Sequence, residues 1–391
     1  MMKITDIRTF VTMPRKGLPW LFVEVYTDEG VTGLGECTLY HGNHIVSESV
    51  HAIKPLIIGL DPANIEEIWQ RIFRRYLRIG ARGIISAVAS AVDIALWDIK
   101  GKVLGVPIYQ LLGGPVRDHV PLYTHVPSAW DETVTLQEAV ELAKKAKTEG
   151  YEAIKTDPFK WARQKSGPFQ GASFLERLTP KIIEEAVDRF SALREALGPD
   201  YELMAEAHAR FDVPSAIRAA RALEPLDLTW FEEPVPPESY DALRQVRENT
   251  NVPISVGESL LTRYDFVPIF KERLADYIMP DVAWAGGISE LRRIGAMAES
   301  YYVRFSPHDA LGPVAMMAGF HVSMTTPNLY RQECLHTWFD DYKKVVMPMF
   351  DYHDGAIWPS DRPGLGVVLN HEGVAQYALD PKDPKANYFP V

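Results

Sequence analysis

Two rhythms of apolar and polar residues divide the chain. Up to about residue 115, the runs ITDIRTFVT, LFVEVYT and VTGLGEC alternate, with a turn at Asp28-Glu29-Gly30, and predict a short antiparallel meander. The stretch from Ser86 to Leu104 follows as a helix, with Ser86 as its expected N-cap and Gly105 and Pro107 as stop signals. Gly113-Gly114-Pro115 then punctuates the chain. Beyond Val120, short strand-like runs alternate with amphipathic helical runs, the pattern of parallel βα units. Eight strand candidates are legible: VPLYTHV, YEAIKTD, YELMAEAHA, LTWFEEP, VPISVGES, ADYIMPD, YVRFSPH and NLYRQEC. One intervening helix opens on Thr135 and Glu138 at capping-box spacing and closes at Gly150. Another opens on Thr179 with Pro180 in its first turn and closes at Gly198.

The polar residues ending the later runs keep a register. Glu206, Glu232, Glu258, Asp281, His308 and Glu333 follow one another at intervals of 26, 26, 23, 27 and 25 residues. One βα unit of an eight-fold barrel is about that long, since roughly 250 residues are shared among eight. In such barrels the strand C-termini floor the active site, so six ionisable groups recurring there converge on one place.

Composition narrows the function classes. Apolar residues at 47% and charged residues at 24% argue against disordered, collagen-like and low-complexity chains. A net charge of −11 removes the basic footprint of a nucleic-acid binder. Two cysteines, Cys37 and Cys334, are too few for a disulfide framework and suit a reduced, cytoplasmic compartment. Asp6 and Arg8 interrupt any secretory signal, and the most apolar stretch, GIISAVASAVDIALWDI, is broken by Asp93. No membrane span is expected.

Three carboxylates from adjacent strands make a hard-oxygen cage suited to Mg²⁺, and Glu206, Glu232 and Glu258 are the expected ligands. The plainer alternative is that Glu232 or Glu258 pairs with a lysine or arginine, yet apposed carboxylates are expensive without a cation. Asp281 beside His308 would fix the tautomer of the imidazole and raise its basicity, making His308 a general base. Glu333, across the mouth, would hydrogen-bond a developing oxyanion if held protonated; a salt bridge to Arg331 or Arg263 is the alternative. His208 lies two residues after Glu206, and strand periodicity directs both to one side. A second histidine there can protonate a leaving hydroxyl, or else serve only in support.

The ordered set KTDPF, EAHARF, WFEEP, VGES, MPDVAWAGGISE, SPHDALGP, NLYRQE and DRPGLGV resembles the mandelate racemase subgroup of the enolase superfamily over nearly the full chain. The resemblance implies a (β/α)7β TIM-like barrel over residues 116–360, an α+β capping domain over 1–115, and a C-terminal segment, 361–391, returning to that domain. It also implies Mg²⁺ on Glu206, Glu232 and Glu258, a His308–Asp281 dyad and Glu333 as electrophilic acid. Two departures matter. Racemases of the group carry a second lysine two residues after the first, whereas here Lys155 is followed by Thr156 and Asp157, so the opposite-face base is missing. Glu206 also stands where Asp is commoner. An acidic residue, a spacer and a histidine with an arginine after it looks like the family's galactonate and gluconate dehydratases, with His208 as general acid.

The resemblance therefore implies a sugar-acid dehydratase, an epimerase or cycloisomerase being the alternative and an idle binding protein a third. Lys155, Asp157, Arg210 and Trp161 are the expected substrate contacts. The segment between Asp157 and Thr179, with Phe159, Trp161, Phe169 and Phe174 among basic residues, is read as a lid or an oligomer contact. Pro14–Trp20 and the surroundings of Tyr40, His41 and His44 are further candidates to close the pocket. A homo-oligomer, dimer or octamer, completes the expectation.

Overall fold

A computed structural model describes residues 1–39, 42–78, 80–129, 131, 133–159 and 178–383. Tyr40, His41, Trp161, Phe169 and Phe174 lie outside the described residues. The alternating N-terminal runs become strands β1 (Ile4–Arg15), β2 (Leu18–Thr27) and β3 (Thr32–Glu36), an antiparallel meander. Helices α1 (Asn43–Ile57), α2 (Ile65–Arg75) and α3 (Ile84–Leu104) pack on it, and a short helix α4 (Ile108–Leu111) leads out. Because α3 is apolar on nearly every side, it must be covered on every side. Its residues pack against the meander and against the second layer of the molecule. The sequence predicts Ser86 as its N-cap, and the structure corrects this. Gly83 caps the helix, and Ser86 sits at the third helical position, where its hydroxyl receives the Gly83 amide.

The βα pattern then runs as β4 (Val120–His125), α5 (Leu136–Thr148), β5 (Ala153–Thr156), α6 (Pro180–Leu197), β6 (Glu202–Glu206), α7 (Val213–Leu223), β7 (Trp230–Glu232) and α8 (Tyr240–Arg247). It continues with β8 (Ile254–Val256), α9 (Thr262–Glu272), β9 (Tyr277–Ile278), α10 (Gly287–Ser300), β10 (Arg304–Phe305), α11 (Pro313–Ser323) and β11 (Gln332–Cys334). Neighbours from β4 to β10 pair in parallel, and β11 pairs with β4. A parallel bridge from Phe305 to Leu329, just ahead of β11, joins the remaining side of the TIM-like barrel. Tyr123, Met204, Trp230 and Met279 fill its interior below the strand ends. The predicted caps hold: Thr135 and Glu138 form a capping box, and Thr179 receives the Ile182 amide with Pro180 in the first turn.

The chain finishes with α12 (Phe339–Val345), β12 (Val346–Met347), a hairpin of β13 (Asp351–His353) and β14 (Ala356–Trp358), β15 (Val368–Leu369) and α13 (His371–Gln376). This last segment runs back to the meander, where the Leu379 amide donates to Val11 and the Met13 amide to Tyr377. Among the described residues, no helix is long and apolar enough to cross a membrane.

The interface between meander and barrel buries carboxylates. Glu36 accepts the Gly312 amide at 2.8 Å and the Ala315 amide at 2.9 Å, and Asp93 accepts the Ser289 amide at 3.0 Å. Burial pushes both carboxyls up to about 7, despite these donors. A raised carboxyl pKa favours the folded state below the unfolded value and loses that advantage as pH rises through 7. Glu36→Gln removes this titration, so the melting temperature of the parent minus that of the variant should grow as pH falls from 8 to 5. Parallel thermal melts check the sign.

Candidate metal centre and flanking histidines

Glu206 and Glu232 are the last residues of β6 and β7 and lie opposite one another in register. Glu258 follows two residues after β8. One carboxylate oxygen from each comes within 4.8 Å of the other two. Three converging carboxylates, two of them buried and Glu258 half-buried, fit a hard divalent cation, so the donor chemistry meets the expectation from sequence. Two of the carboxylates also accept hydrogen bonds: Trp230 Nε1 donates to Glu232 at 2.7 Å, and the His208 amide donates to Glu206 at 2.7 Å. Burial and the neighbouring Glu206 charge push Glu232 well above the usual carboxylate range.

Lys155, on β5, is 2% exposed and reaches into the same cluster. Its Nζ lies 3.2 Å from Glu206 and 2.7 Å from Glu333, and it also donates to Glu232. The ion-pair alternative and the carboxylate cage therefore coexist. Burial alone would lower the lysine pKa, but Glu232 and Glu333 hold it well above the ordinary value. An ammonium among three carboxylates balances the charge of the cage.

His308 and Asp281 are brought together as expected, with Nδ1 2.6 Å from the carboxylate. The Ala283 amide fixes the other Asp281 oxygen at 2.7 Å. His308 Nε2 faces the cage, 3.2 Å from Glu258. Burial depresses the imidazole, but Glu333, Glu258 and Asp281 outweigh it and push His308 up to about 10.

Glu333, the electrophilic acid of the sequence reading, lies on β11. Burial raises its pKa, yet Lys155, His308 and His125 together hold it well below the usual range. It does not pair with Arg331 or Arg263. Arg331 is engaged by Glu152 and Glu202, and Arg263 by Glu290. Glu333 instead contacts His125 Nε2 at 2.6 Å and accepts the Asp309 amide at 2.9 Å. His125 is a site residue missed in the sequence. It closes β4 with its side chain 30% exposed. The strand-end register, carried back to the first barrel strand, would have found it.

His208 reaches the mouth by a different route from the one periodicity suggests. β6 stops at Glu206, and both His208 and Ala209 adopt left-handed backbone, with φ of 49° and 54°. The imidazole is 39% exposed, with Nδ1 3.1 Å from Asp157. Partial burial lowers its pKa, but Glu206 and Asp157 more than offset this and raise it. The same Asp157 accepts Arg210 Nη2 at 2.7 Å, and Arg210 Nε donates to the Ala207 carbonyl at 3.0 Å. Asp157 and Arg210, two of the predicted substrate contacts, are both buried and support His208. Trp161, the fourth predicted contact, lies outside the described residues.

Comparison with known proteins places both domains in one family. Residues 9–113 match the mandelate racemase / muconate lactonizing enzyme N-terminal domain, and residues 138–373 the enolase C-terminal domain-like family. A D-galactonate dehydratase family member from Streptomyces bingchenggensis is 35% identical, the match covering 99% of this chain and 95% of that protein. D-galactonate dehydratase from Xanthomonas euvesicatoria pv. vesicatoria is 34% identical, covering 98% and 96%. Among solved structures, a mandelate racemase/muconate lactonizing enzyme-like protein from Rubrobacter xylanophilus is 34% identical, with a TM-score of 0.87 over 96% of this chain and 98% of that one. An enolase-superfamily member from Salmonella Typhimurium is 31% identical, with a TM-score of 0.88 over 97% and 99%. With both domains matched and the strand-end carboxylates and His–Asp dyad in place, the chain belongs to the mandelate racemase and muconate lactonizing enzyme family of the enolase superfamily.

Proposed function

We propose that the protein is a Mg²⁺-dependent dehydratase of a sugar acid, converting a substrate with hydroxyls on C2 and C3 into a 2-keto-3-deoxy acid. The observation that carries this reading is that two imidazoles, each backed by an aspartate, flank the carboxylate cage. Nε2 of His308 lies 3.2 Å from Glu258 and its Nδ1 is backed by Asp281, while His208, whose backbone amide donates to Glu206, has its Nδ1 beside Asp157. Elimination of water needs one group to take a proton and another to give one. Mg²⁺ held by Glu206, Glu232 and Glu258 would bind the substrate carboxylate, spread the charge formed on proton loss and weaken the negative field that keeps His308 protonated.

In this reading Nε2 of His308 removes the C2 proton, and Asp281 stabilises the imidazolium through Nδ1. His208, whose pKa Glu206 and Asp157 raise, donates its proton to the departing C3 hydroxyl. The resulting enol tautomerises to the keto acid. Lys155 and His125 hold Glu333 ionised and oriented beside His308. Racemisation is disfavoured because the position two residues after Lys155 carries Asp157, already committed to His208 and Arg210. The names of the relatives point to galactonate-type aldonates as the first substrates to try.

Screening C5 and C6 aldonic and aldaric acids with Mg²⁺ and detecting 2-keto-3-deoxy products tests the reading. Exchange of the C2 proton or isomer formation without any keto acid would replace it with the epimerase or cycloisomerase alternative. A second test separates the two histidines. His208→Asn should keep C2 exchange and lose keto-acid formation by about 10²–10⁴-fold, the usual range for one general acid. Dehydration at the parental rate would remove His208 from its role.

A further inference from the structure

Many of the hydrogen bonds from the N-terminal domain into the barrel fall on the two loops that carry the His308–Asp281 dyad and on the helix starts that follow them. The loop after His308 runs directly into α11. There the Gly312 and Ala315 amides donate to Glu36 at 2.8 and 2.9 Å, and the Val314 amide adds a third bond at 3.2 Å. The loop after Asp281 runs into α10, whose Ser289 amide and hydroxyl donate to Asp93 at 3.0 and 2.6 Å. At Gly286, just before α10, the amide donates to Ser90 and the carbonyl accepts Trp69 Nε1, each at 2.9 Å. Both helix starts use glycine where the domains approach. A Cβ on Gly312 would lie 2.5 Å from a Glu36 oxygen, and one on Gly287 2.5 Å from an Asp93 oxygen.

A second route leaves the same Glu36. Thr38 Oγ1 donates to Glu36 at 2.7 Å, and the Thr38 carbonyl accepts Trp284 Nε1 at 2.7 Å. The Trp284 ring lies 5.3 Å from the His308 ring, tilted by 32°. It packs against the cores of both domains. Thus one carboxylate of the capping domain reaches His308 twice, through the backbone that follows it and through the aromatic ring beside it. Ligands Glu206 and Glu232, by contrast, sit on strands locked into the sheet by their neighbours.

We infer that Glu36 is a positioning residue for the His308 base, acting from the capping domain through the α11 N-terminus and through Thr38 and Trp284. This rests on the reading of His308 as base. It separates two tasks in the fold: the barrel sheet builds the cage, and docking of the second domain sets the imidazole against it. Loosening the Glu36 contacts should disturb His308 and leave the cage able to bind its cation.

The test uses full-length protein with ¹⁵N-labelled histidine. The short Nδ1–Asp281 contact should protect a downfield His308 Nδ1 proton, identified by its disappearance in His308→Asn. In Glu36→Ala that proton should broaden or exchange with solvent, while calorimetric Mg²⁺ binding stays within about twofold of the parent. Glu66→Gln, which removes another interdomain pair, to Arg293 on α10, should leave the signal intact. If alanine prevents folding, Glu36→Gln gives the same readout as faster exchange. A proton as sharp and slowly exchanging as in the parent, in whichever variant folds, overturns the inference. Loss of the signal together with loss of Mg²⁺ binding also overturns it, since the effect would then be general unfolding. None of these readouts needs a substrate, so a failed substrate screen sinks the dehydratase reading alone. Where a substrate is in hand, kcat of the variant should fall about 10–10²-fold with KM little changed, as expected for a displaced catalytic group.

Discussion

Glu232→Gln, or exhaustive chelation of the parent, is expected to abolish turnover, by at least about 10⁴-fold, because several kcal/mol of transition-state charge stabilisation leave with the cation. Glu232 is the most demanding of the three positions. It is fully buried, it ends a central strand, and it is held from below by Trp230 and from the side by Lys155. The variant should remain folded, since Gln relieves one of three apposed carboxylates and Lys155 keeps Glu206 and Glu333 as partners. Steady-state assay of the keto-acid product, before chelation, after it and after Mg²⁺ is restored, measures the effect. Full activity in the chelated protein would remove the metal from the mechanism.

His308→Asn should stop the reaction one step earlier than His208→Asn does. Exchange of the substrate C2 proton in D₂O should fall by about 10²–10⁴-fold, the loss of one general base, and keto-acid formation should fall with it. Asparagine keeps a polar side chain near Asp281 but cannot accept the proton. Loss of exchange in His308→Asn alongside retained exchange in His208→Asn would assign the two imidazoles to opposite ends of the reaction. Exchange at the parental rate in His308→Asn would show that another group abstracts the proton. The effect should be smaller than that of losing Glu232, because acid–base groups supply only part of the barrier reduction for an unactivated α-proton.

Sequence alone determined the order of elements and the identity of the cage. Strand periodicity, helix caps at Thr135 and Thr179, and the near-constant spacing of six strand-end residues all depend on neighbours within one βα unit. A barrel turns such a one-dimensional repeat into a ring, so convergence of Glu206, Glu232 and Glu258 was legible before any coordinates. Only the tertiary structure decided what lies between units. Periodicity carried His208 onto a strand that had already ended, because it cannot anticipate two left-handed residues. The resemblance offered Lys155, Asp157 and Arg210 as substrate contacts, and the structure adds to each a partner about 50 to 180 positions away in the chain. It also cast Glu333 as an acid if held protonated, since burial was foreseeable but the neighbouring charges of Lys155 and His308, which lower its pKa, were not. The physical reason is common to all of these. Element type follows from short-range sterics and burial, whereas charge state and side-chain partners depend on distances that exist only after the sheet closes and the second domain docks.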